Sequence, residues 1–315
     1  MNSETVVTII GAGTMGHALA LIFARGGSQV FLTDIRETVL RDAKELIASH
    51  LKTLAESGEL RESPNLIIER IETATDYKTF LQKSDLAVEA IIEEAEAKRE
   101  LFTELCVHLG DRTVVASNTS YLNIFPLAPP SIQKRLLITH FFNPPYIVPL
   151  VEVVAGSETD PEVISHVCDF LKTSGMTPVV LEKFVPGFIV NRLQRALGRE
   201  VLYMIDEGFA DPAEIDRAVK ASLGIRLPVL GVVARYDYGG LDMAVRALNA
   251  PPIGLATEDR LSPSLVKLVK QGHLGVKSGR GFFDYTSKPL SETLRERDIK
   301  LIRVRRLLRS MGEVY

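Results

Sequence analysis

Hydrophobic and polar residues follow two different periods along the first 185 positions. Short apolar runs predict buried strands at residues 6–10, 30–33, 84–92 and 114–116. Between these runs, apolar residues recur every three or four positions, as in the stretch 37–58, which is typical of an amphipathic helix. Strands that alternate with helices form a parallel sheet with crossover connections. The pattern therefore predicts an α/β domain built on a doubly wound sheet.

The pattern changes at Pro186-Gly187, and beyond this point the helical period predominates. Helices are predicted at 188–207, 212–223, 241–248 and 263–271, followed by a basic amphipathic helix at 287–314. A chain of 315 residues is long enough to bury two cores. We therefore predict an α/β domain over residues 1–184 and a smaller all-α domain over residues 185–315.

A glycine turn, G-A-G-T-M-G at residues 11–16, lies between the first strand and the first helix. Gly11 permits a tight turn, Gly13 lets the backbone approach a pyrophosphate, and Gly16 allows the helix to pack closely on the strand. The free N–H groups of the helix N-terminus then face the phosphates. Strand, turn and helix together predict a Rossmann-type domain that binds a dinucleotide.

Asp34 ends the second predicted strand, at the distance where the acidic residue of this motif meets the adenosine ribose. Its carboxylate would accept a hydrogen bond from the 2′-hydroxyl and would repel a 2′-phosphate. The sequence therefore favours NAD over NADP as the cofactor. Arg36 is an argument for NADP instead, because an arginine can accommodate the 2′-phosphate.

His140 ends an apolar run, and Glu152 lies inside the next apolar segment, in L-L-I-T-H-F-F-N-P-P-Y-I-V-P-L-V-E-V-V at residues 136–154. A histidine at the tip of a buried strand, with a carboxylate beside it on a second extended segment, is the arrangement of a general base with an orienting partner. Ser120 follows another strand end, in the polar turn S-N-T-S. Ligands of parallel sheets collect at such ends, so a catalytic site is expected there.

Charge and composition exclude several other functions. A net charge of -3 and a pI near 6.1 give no bulk attraction for nucleic acid. No apolar stretch reaches the roughly 20 residues of a membrane span, and a basic leader is missing, so we expect no membrane association and a cytoplasmic location. Cys106 and Cys168 lack the spacing of metal ligands and are expected to be free thiols, with no metal bound.

Taken together, the chain resembles the L-3-hydroxyacyl-CoA dehydrogenase family along nearly its whole length. The matching motifs occur in the family's order: G-A-G-T-M-G, A-I-I-E-E with Lys98, S-N-T-S, T-H-F-F-N-P, L-V-E-V-V, P-G-F-I-V-N-R and G-V-K-S-G-R-G-F-F-D-Y. The resemblance implies NAD-dependent oxidation of an L-3-hydroxyacyl-CoA. It also implies a substrate-binding C-terminal domain that forms a homodimer.

The resemblance implies a role for individual residues. His140 would be the catalytic base, Glu152 its charged partner, and Ser120 and Asn191 would hold the 3-oxygen of the substrate. The implied cofactor contacts are Gly11, Gly13, Thr14, Met15, Gly16, Asp34, Ile35, Ala90, Glu93, Lys98, Asn118, Ser120 and Asn143.

Two departures from the family concern the substrate. The region after the second strand, where acyl-CoA members carry lysines near the CoA phosphates, is more acidic here, although Lys52 and Arg61 remain. The loop around Arg226 looks more like relatives that oxidise free hydroxy acids such as gulonate, carnitine or pyridine carboxylates, and Arg226 could clamp a carboxylate or be a solvated charge. We expect an acyl-CoA substrate, with a free hydroxy acid as the alternative. A third possibility is a protein that binds NAD without catalysis.

Overall fold

The computed structural model describes residues 5–312, which divide into two compact units. The N-terminal unit comprises residues 5–189 and the C-terminal unit residues 190–312. The division falls five residues after the predicted boundary at 184. The first unit is a doubly wound α/β domain and the second is helical, which confirms the predicted fold class.

The N-terminal unit is built on an eight-stranded sheet with the order β3-β2-β1-β4-β5-β6-β7-β8. The strands are β1 Val6–Ile10, β2 Gln29–Thr33, β3 Ile71–Ala74, β4 Leu86–Glu89, β5 Val114–Ser117, β6 Leu136–Phe141, β7 Leu150–Ala155 and β8 Thr177–Leu181. Strands β1 to β6 are parallel to one another. The order reverses beside β1, which places the ends of β1 and β4 at the point where such sheets bind ligands.

Strand β7 runs antiparallel to β6, whereas the sequence predicted a parallel sheet. The physical reason is the length of the connection. Only residues 142–149 separate the two strands, and a parallel crossover needs about a dozen residues or more. Strand β8 is again parallel to β7, because helix α6 (Pro161–Thr173) provides the crossover between them.

Helices of the N-terminal unit connect the strands. They are α1 Gly16–Arg25, α2 Glu37–Glu56, α3 Pro64–Glu69, α4 Lys78–Leu81, α5 Ala95–His108 and α6. Helix α1 is buried on every side except at Arg25, since it packs against β1, β2, α2 and α3. Its alanines and its first glycine permit this close packing. The glycine turn that precedes α1 is therefore fixed to the most buried helix of the unit.

The C-terminal unit contains seven α-helices and no strand among residues 190–312. They are α7 Val190–Asp206, α8 Pro212–Ala221, α9 Leu223–Leu230, α10 Ala234–Gly239, α11 Leu241–Leu248, α12 Pro263–Lys270 and α13 Leu290–Ser310. Helices α9 and α10 were not predicted, because they are short and are bounded by Gly231 and Gly240 at positive φ. No helix of the described residues is both long and apolar enough to cross a membrane.

Candidate active site

The antiparallel pairing of β6 with β7 places His140 directly opposite Glu152. His140 Nδ1 lies 2.8 Å from Glu152 Oε2, and both side chains are almost completely buried. A ring nitrogen that faces a carboxylate carries the proton, so Nδ1 donates and Nε2 is left as the acceptor. Nε2 has no hydrogen-bond partner among residues 5–312. The arrangement gives a histidine of fixed tautomer whose second nitrogen is available to a ligand.

Phe188 closes the other side of this pair. Its ring centroid lies 5.2 Å from that of His140, and its side chain is 1% exposed. The backbone of Phe188 has φ 50, a left-handed conformation that bulky residues rarely adopt. This turn directs the N–H of Ile189 to Glu152 Oε1, at 2.9 Å. Both carboxylate oxygens of Glu152 are therefore engaged, which fixes its orientation toward the imidazole.

A second buried cluster lies at the end of β4. Lys98 is 1% exposed, and its Nζ lies 2.5 Å from Glu89 Oε1 and 3.4 Å from Glu93 Oε2. Ser117 donates a hydrogen bond to the other oxygen of Glu89. A buried ammonium with two carboxylates is compensated in charge, as a buried ion must be. Lys98, predicted to seat the nicotinamide half of NAD, is thus held entirely between two glutamates.

Glu93 links this cluster to the turn that carries Ser120. Its Oε1 accepts hydrogen bonds from the Thr119 hydroxyl at 2.6 Å and from the N–H groups of Ser120 and Tyr121 at 2.8 and 2.9 Å. Burial alone would raise the pKa of Glu93, but these hydrogen bonds and Lys98 outweigh it and lower the pKa. An ionised Glu93 therefore holds the turn of Ser120 at the end of β5.

The three glycines of the turn differ in the space around them. A Cβ added at Gly16 would lie 1.8 Å from the Gly11 carbonyl oxygen, and one at Gly11 would lie 2.6 Å from the Ala90 oxygen. A Cβ at Gly13 would meet nothing within 4 Å, and the neighbouring Thr14 is exposed. The open side of the turn at Gly13 and Thr14 fits the close approach of a pyrophosphate.

Asp34 is hydrogen-bonded to the glycine turn. Its Oδ2 accepts the N–H of Ala12 at 3.1 Å, and its Oδ1 accepts the N–H of Arg36 at 3.0 Å. Ile35 is 85% exposed. A cavity of about 490 Å³ lies beside the ends of β2 and β3, lined by Glu37, Leu40, Arg41, Lys44, Thr73, Ala74 and Thr75. These residues form a pocket of suitable position for the adenosine of NAD.

The remaining predicted residues occupy different places. Asn118 follows β5, and its Oδ1 accepts the N–H of Phe141, which ties the ends of β5 and β6 together. Asn143 is exposed in the turn after β6, Met15 lies within the glycine turn, and the Ala90 carbonyl lies next to Gly11. Asn191 is the second residue of α7, in the C-terminal unit. The predicted site residues of the N-terminal unit thus lie at one end of its sheet. Asn191 belongs to the C-terminal unit.

Sequence reasoning missed Glu89, Ser117 and Phe188. Glu89 had a recognisable signal, because it is a lone carboxylate inside the apolar run L-A-V-E-A-I-I, and a buried charge requires a partner. Phe188 had none, since its unusual backbone conformation cannot be read from P-G-F-I-V-N-R.

Two family models cover most of the chain. The 3-hydroxyacyl-CoA dehydrogenase NAD binding domain matches residues 6–184, and the 3-hydroxyacyl-CoA dehydrogenase C-terminal domain matches residues 187–285. The chain belongs to the 3-hydroxyacyl-CoA dehydrogenase family. It is accordingly an oxidoreductase that uses NAD, which confirms the predicted class of enzyme and the predicted cofactor.

Individual relatives differ in how much of the chain they match. The chain is 32% identical to 5-formyl-3-hydroxy-2-methylpyridine 4-carboxylate 5-dehydrogenase of Mesorhizobium japonicum, over 96% of this chain and 97% of that protein. It is 36% identical to a probable 3-hydroxybutyryl-CoA dehydrogenase of Deinococcus radiodurans, over 88% of this chain and 99% of that protein. A crystal structure of the pyridine carboxylate enzyme, described as an NAD+ dependent dismutase, superimposes with a TM-score of 0.87 at 30% identity, covering 97% and 99% of the two chains.

Proposed function

We propose that the protein is an NAD-dependent dehydrogenase of a small free hydroxy acid, with His140 as the general base. The observation that carries the choice of substrate class is the match to the pyridine carboxylate dehydrogenase, which extends over nearly all of both chains. The CoA-dependent relative, although 36% identical, leaves about a tenth of this chain without a counterpart. The second candidate, an L-3-hydroxyacyl-CoA, is favoured by that identity and by the family itself.

The geometry of His140 and Glu152 supports the chemistry. His140 Nε2 accepts the proton of the substrate hydroxyl, while Nδ1–H continues to donate its hydrogen bond to Glu152 Oε2. The Glu152 carboxylate stabilises the imidazolium that forms. NAD supplies the acceptor for the hydride that leaves the same carbon. The hydrate of an aldehyde carries the same pair of C–H and O–H bonds, so one base serves both kinds of substrate. In the reverse direction the imidazolium returns the proton to the oxygen.

Ser120 and Asn191 are proposed to hold the reacting oxygen. Glu93 holds Ser120 in place by accepting a hydrogen bond from its backbone N–H. A hydroxyl and an amide that hydrogen-bond this oxygen stabilise negative charge as it develops. The cofactor would be held by the turn at Gly13 and Thr14, by Asp34 at the ribose, and by the end of the sheet near Asn118 and Asn143.

Charge argues against a CoA substrate. Residues 37–69, which span α2 and α3, contain seven acidic and four basic side chains. A CoA molecule carries several phosphate charges, and an acidic segment near them would repel the ligand. A small carboxylic acid does not need this region.

Arg226 is proposed to bind the carboxylate of the substrate. It lies on α9, is exposed, and its guanidinium has no hydrogen bond or salt bridge among residues 5–312. Guanidinium binds carboxylate through two parallel hydrogen bonds, so an unpaired arginine suits a free acid. A thioester substrate has no carboxylate for it to bind.

The C-terminal unit is proposed to form a homodimer. Leu241, Val245 and Leu248 form an exposed apolar stripe on α11, and Leu193 and Leu197 form another on α7. Exposed apolar residues that line one face of a helix are suited to an association surface. A second copy of the chain would cover these stripes. The proposed location of the enzyme is the cytoplasm.

The experiment that tests the substrate class compares NAD reduction by two panels. One panel contains free hydroxy acids and the hydroxymethyl and formyl pyridine carboxylates, and the other contains L-3-hydroxyacyl-CoA thioesters. We expect His140-dependent turnover with at least one free acid and a kcat/KM at least about 10²-fold lower for every thioester, because rejection of a poorly fitting substrate reaches this size. Faster turnover of a thioester would overturn the proposal and restore the acyl-CoA dehydrogenase.

A further inference from the structure

Two histidines, His17 and His50, lie beside the glycine turn and have no part in the proposed catalytic step. His17 is the second residue of α1 and is buried, with 6% of its surface exposed. Its Nδ1 lies 2.7 Å from the carbonyl oxygen of Gly13, and its Nε2 lies 3.3 Å from Nε2 of His50, on α2. Burial lowers the pKa of His17, and the hydrogen bond to Gly13 offsets only part of this effect.

These contacts determine the tautomer of both rings. A carbonyl oxygen only accepts, so Nδ1 of His17 carries the proton and donates it to Gly13. Nε2 of neutral His17 is then an acceptor, and His50 donates to it. His50 in turn stacks on Tyr146, with ring centroids 4.3 Å apart, and Tyr146 is 2% exposed. The ring of His17 is therefore held in one orientation by the Gly13 carbonyl and by His50, and His50 is itself packed on Tyr146.

The orientation of the Gly13 carbonyl fixes the direction of the next amide. In a trans peptide the C=O and the following N–H point in opposite directions. Because the Gly13 carbonyl is turned inward to His17, the N–H of Thr14 is turned outward, on the side where a Cβ at Gly13 would meet nothing. Gly13 and Thr14 are exposed, so a pyrophosphate can reach this N–H.

We propose that His17 is a positioning residue for NAD, which holds the Gly13–Thr14 peptide so that its N–H faces the pyrophosphate. His50 and Tyr146 hold His17 in turn. The role concerns the cofactor alone, so it does not depend on which hydroxy acid the enzyme oxidises. It is also a property of this chain rather than of the glycine pattern, which places no requirement on residue 17.

Two substitutions separate this role from a structural one. The amide nitrogen of asparagine occupies the position of Nδ1 of histidine, and that of glutamine occupies the position of Nε2. His17→Asn therefore keeps the hydrogen bond to Gly13 and loses the contact with His50, whereas His17→Gln does the reverse. Helix propensity does not disfavour glutamine relative to asparagine. Asparagine is one methylene smaller than glutamine, so a loss caused by volume alone would be larger in His17→Asn, the reverse of the order expected for the hydrogen bond.

The measurement is the Kd of NAD and of ADP-ribose by titration calorimetry, together with the melting temperature of each variant without ligand. We expect His17→Asn to bind both ligands within about twofold of wild type and His17→Gln to bind both about 3- to 10-fold more weakly, which is the range of one hydrogen bond. ADP-ribose shares the pyrophosphate with NAD but lacks the nicotinamide.

Three results would overturn the proposal. They are equal losses in the two variants that follow the melting temperature, unchanged affinity in His17→Gln, and a loss for NAD that ADP-ribose does not share. If His17→Gln does not fold, His17→Leu tests the same claim, because leucine occupies the buried site and has no donor for the Gly13 carbonyl. We expect the Kd of NAD to rise at least about twofold in that variant, and an unchanged Kd would contradict the proposal.

Discussion

The two units of the chain bury their apolar residues to very different extents. All of the buried hydrophobic side chains among residues 5–312 belong to the N-terminal unit except Ile215 and Ile302. The long helix α7 of the C-terminal unit has no buried residue. A parallel sheet covered by helices must bury both of its faces, whereas a set of amphipathic helices can leave one stripe of each uncovered.

We propose that the two units have different tasks. Buried groups keep a fixed geometry, and the His140–Glu152 pair, the Lys98 cluster and the glycine turn all lie in the unit with the core. The exposed apolar stripes and the unpaired Arg226 lie in the other unit. We infer that cofactor and catalytic base belong to the N-terminal unit, and that substrate selection and self-association belong to the C-terminal unit.

Removing the base is the most severe test of this division. We expect His140→Ala to lower kcat by about 10²-fold or more, because the proton then lacks a positioned acceptor. The Kd of NAD should stay within about twofold of wild type, since the cofactor contacts are elsewhere. Stopped-flow turnover and titration calorimetry with NAD measure the two quantities. A variant that turns over normally would remove His140 from the site.

Arg226 tests the C-terminal unit. Loss of a charge-assisted hydrogen bond typically costs about 10- to 100-fold, and we expect Arg226→Ala to raise KM for the free acid by about this factor while NAD binding is unchanged. Arg246→Ala is the matched control, because Arg246 is also an exposed arginine of this unit. Equal effects of the two variants would show that overall charge, rather than a carboxylate clamp, determines KM.

Self-association tests the exposed stripes. Leu197→Glu places a charge on the apolar stripe of α7 and should raise the dimer dissociation constant at least about tenfold, because a buried unpaired charge is costly. Lys220→Gln on α8 changes the net charge by the same amount on a polar surface and should leave association unchanged. Sedimentation velocity over a range of protein concentrations distinguishes these outcomes. A wild-type monomer at all concentrations would refute the homodimer.

Glu93 gives the smallest expected effect. Its pKa is lowered in the folded protein, so its stabilising contribution is present above its ordinary pKa of 4.5 and is lost as pH falls through the lower, folded value. We expect Glu93→Gln to lower the melting temperature by about 2–4 °C at pH 7, the effect of about 1 kcal/mol for a partly exposed group, and by less at pH 4. Glu94→Gln, the adjacent exposed glutamate, should change neither value. If the difference in melting temperature between Glu93→Gln and wild type does not become smaller toward pH 4, this role of Glu93 is contradicted.

The sequence predicted most of what depends on local pattern. The strand bounds of β1 agree with the prediction, and the glycine turn and the opposition of His140 and Glu152 are found in the structure. These features follow from runs of apolar residues and from motifs that are contiguous in the chain. The family resemblance supplied the remaining predicted site residues, whose roles stay predictions.

Features that depend on packing between distant segments were not predicted. Lys98 was expected at the cofactor, and only the fold shows it enclosed by Glu89 and Glu93. The antiparallel direction of β7 follows from the length of a turn rather than from any residue in it. The contact of His17 with His50 joins positions 33 residues apart, and no short-range pattern indicates it.

The crowded and open glycines of the turn have a consequence for mutational tolerance. Any side chain at Gly16 collides with the backbone of Gly11, so substitution there should abolish expression of folded protein. Alanine at Gly13 has room in the free protein and competes only with the bound cofactor. A saturation library of these six residues would therefore be scored once for folding and once for NAD binding. Gly16 should be constrained by both requirements, and Gly13 by NAD binding alone.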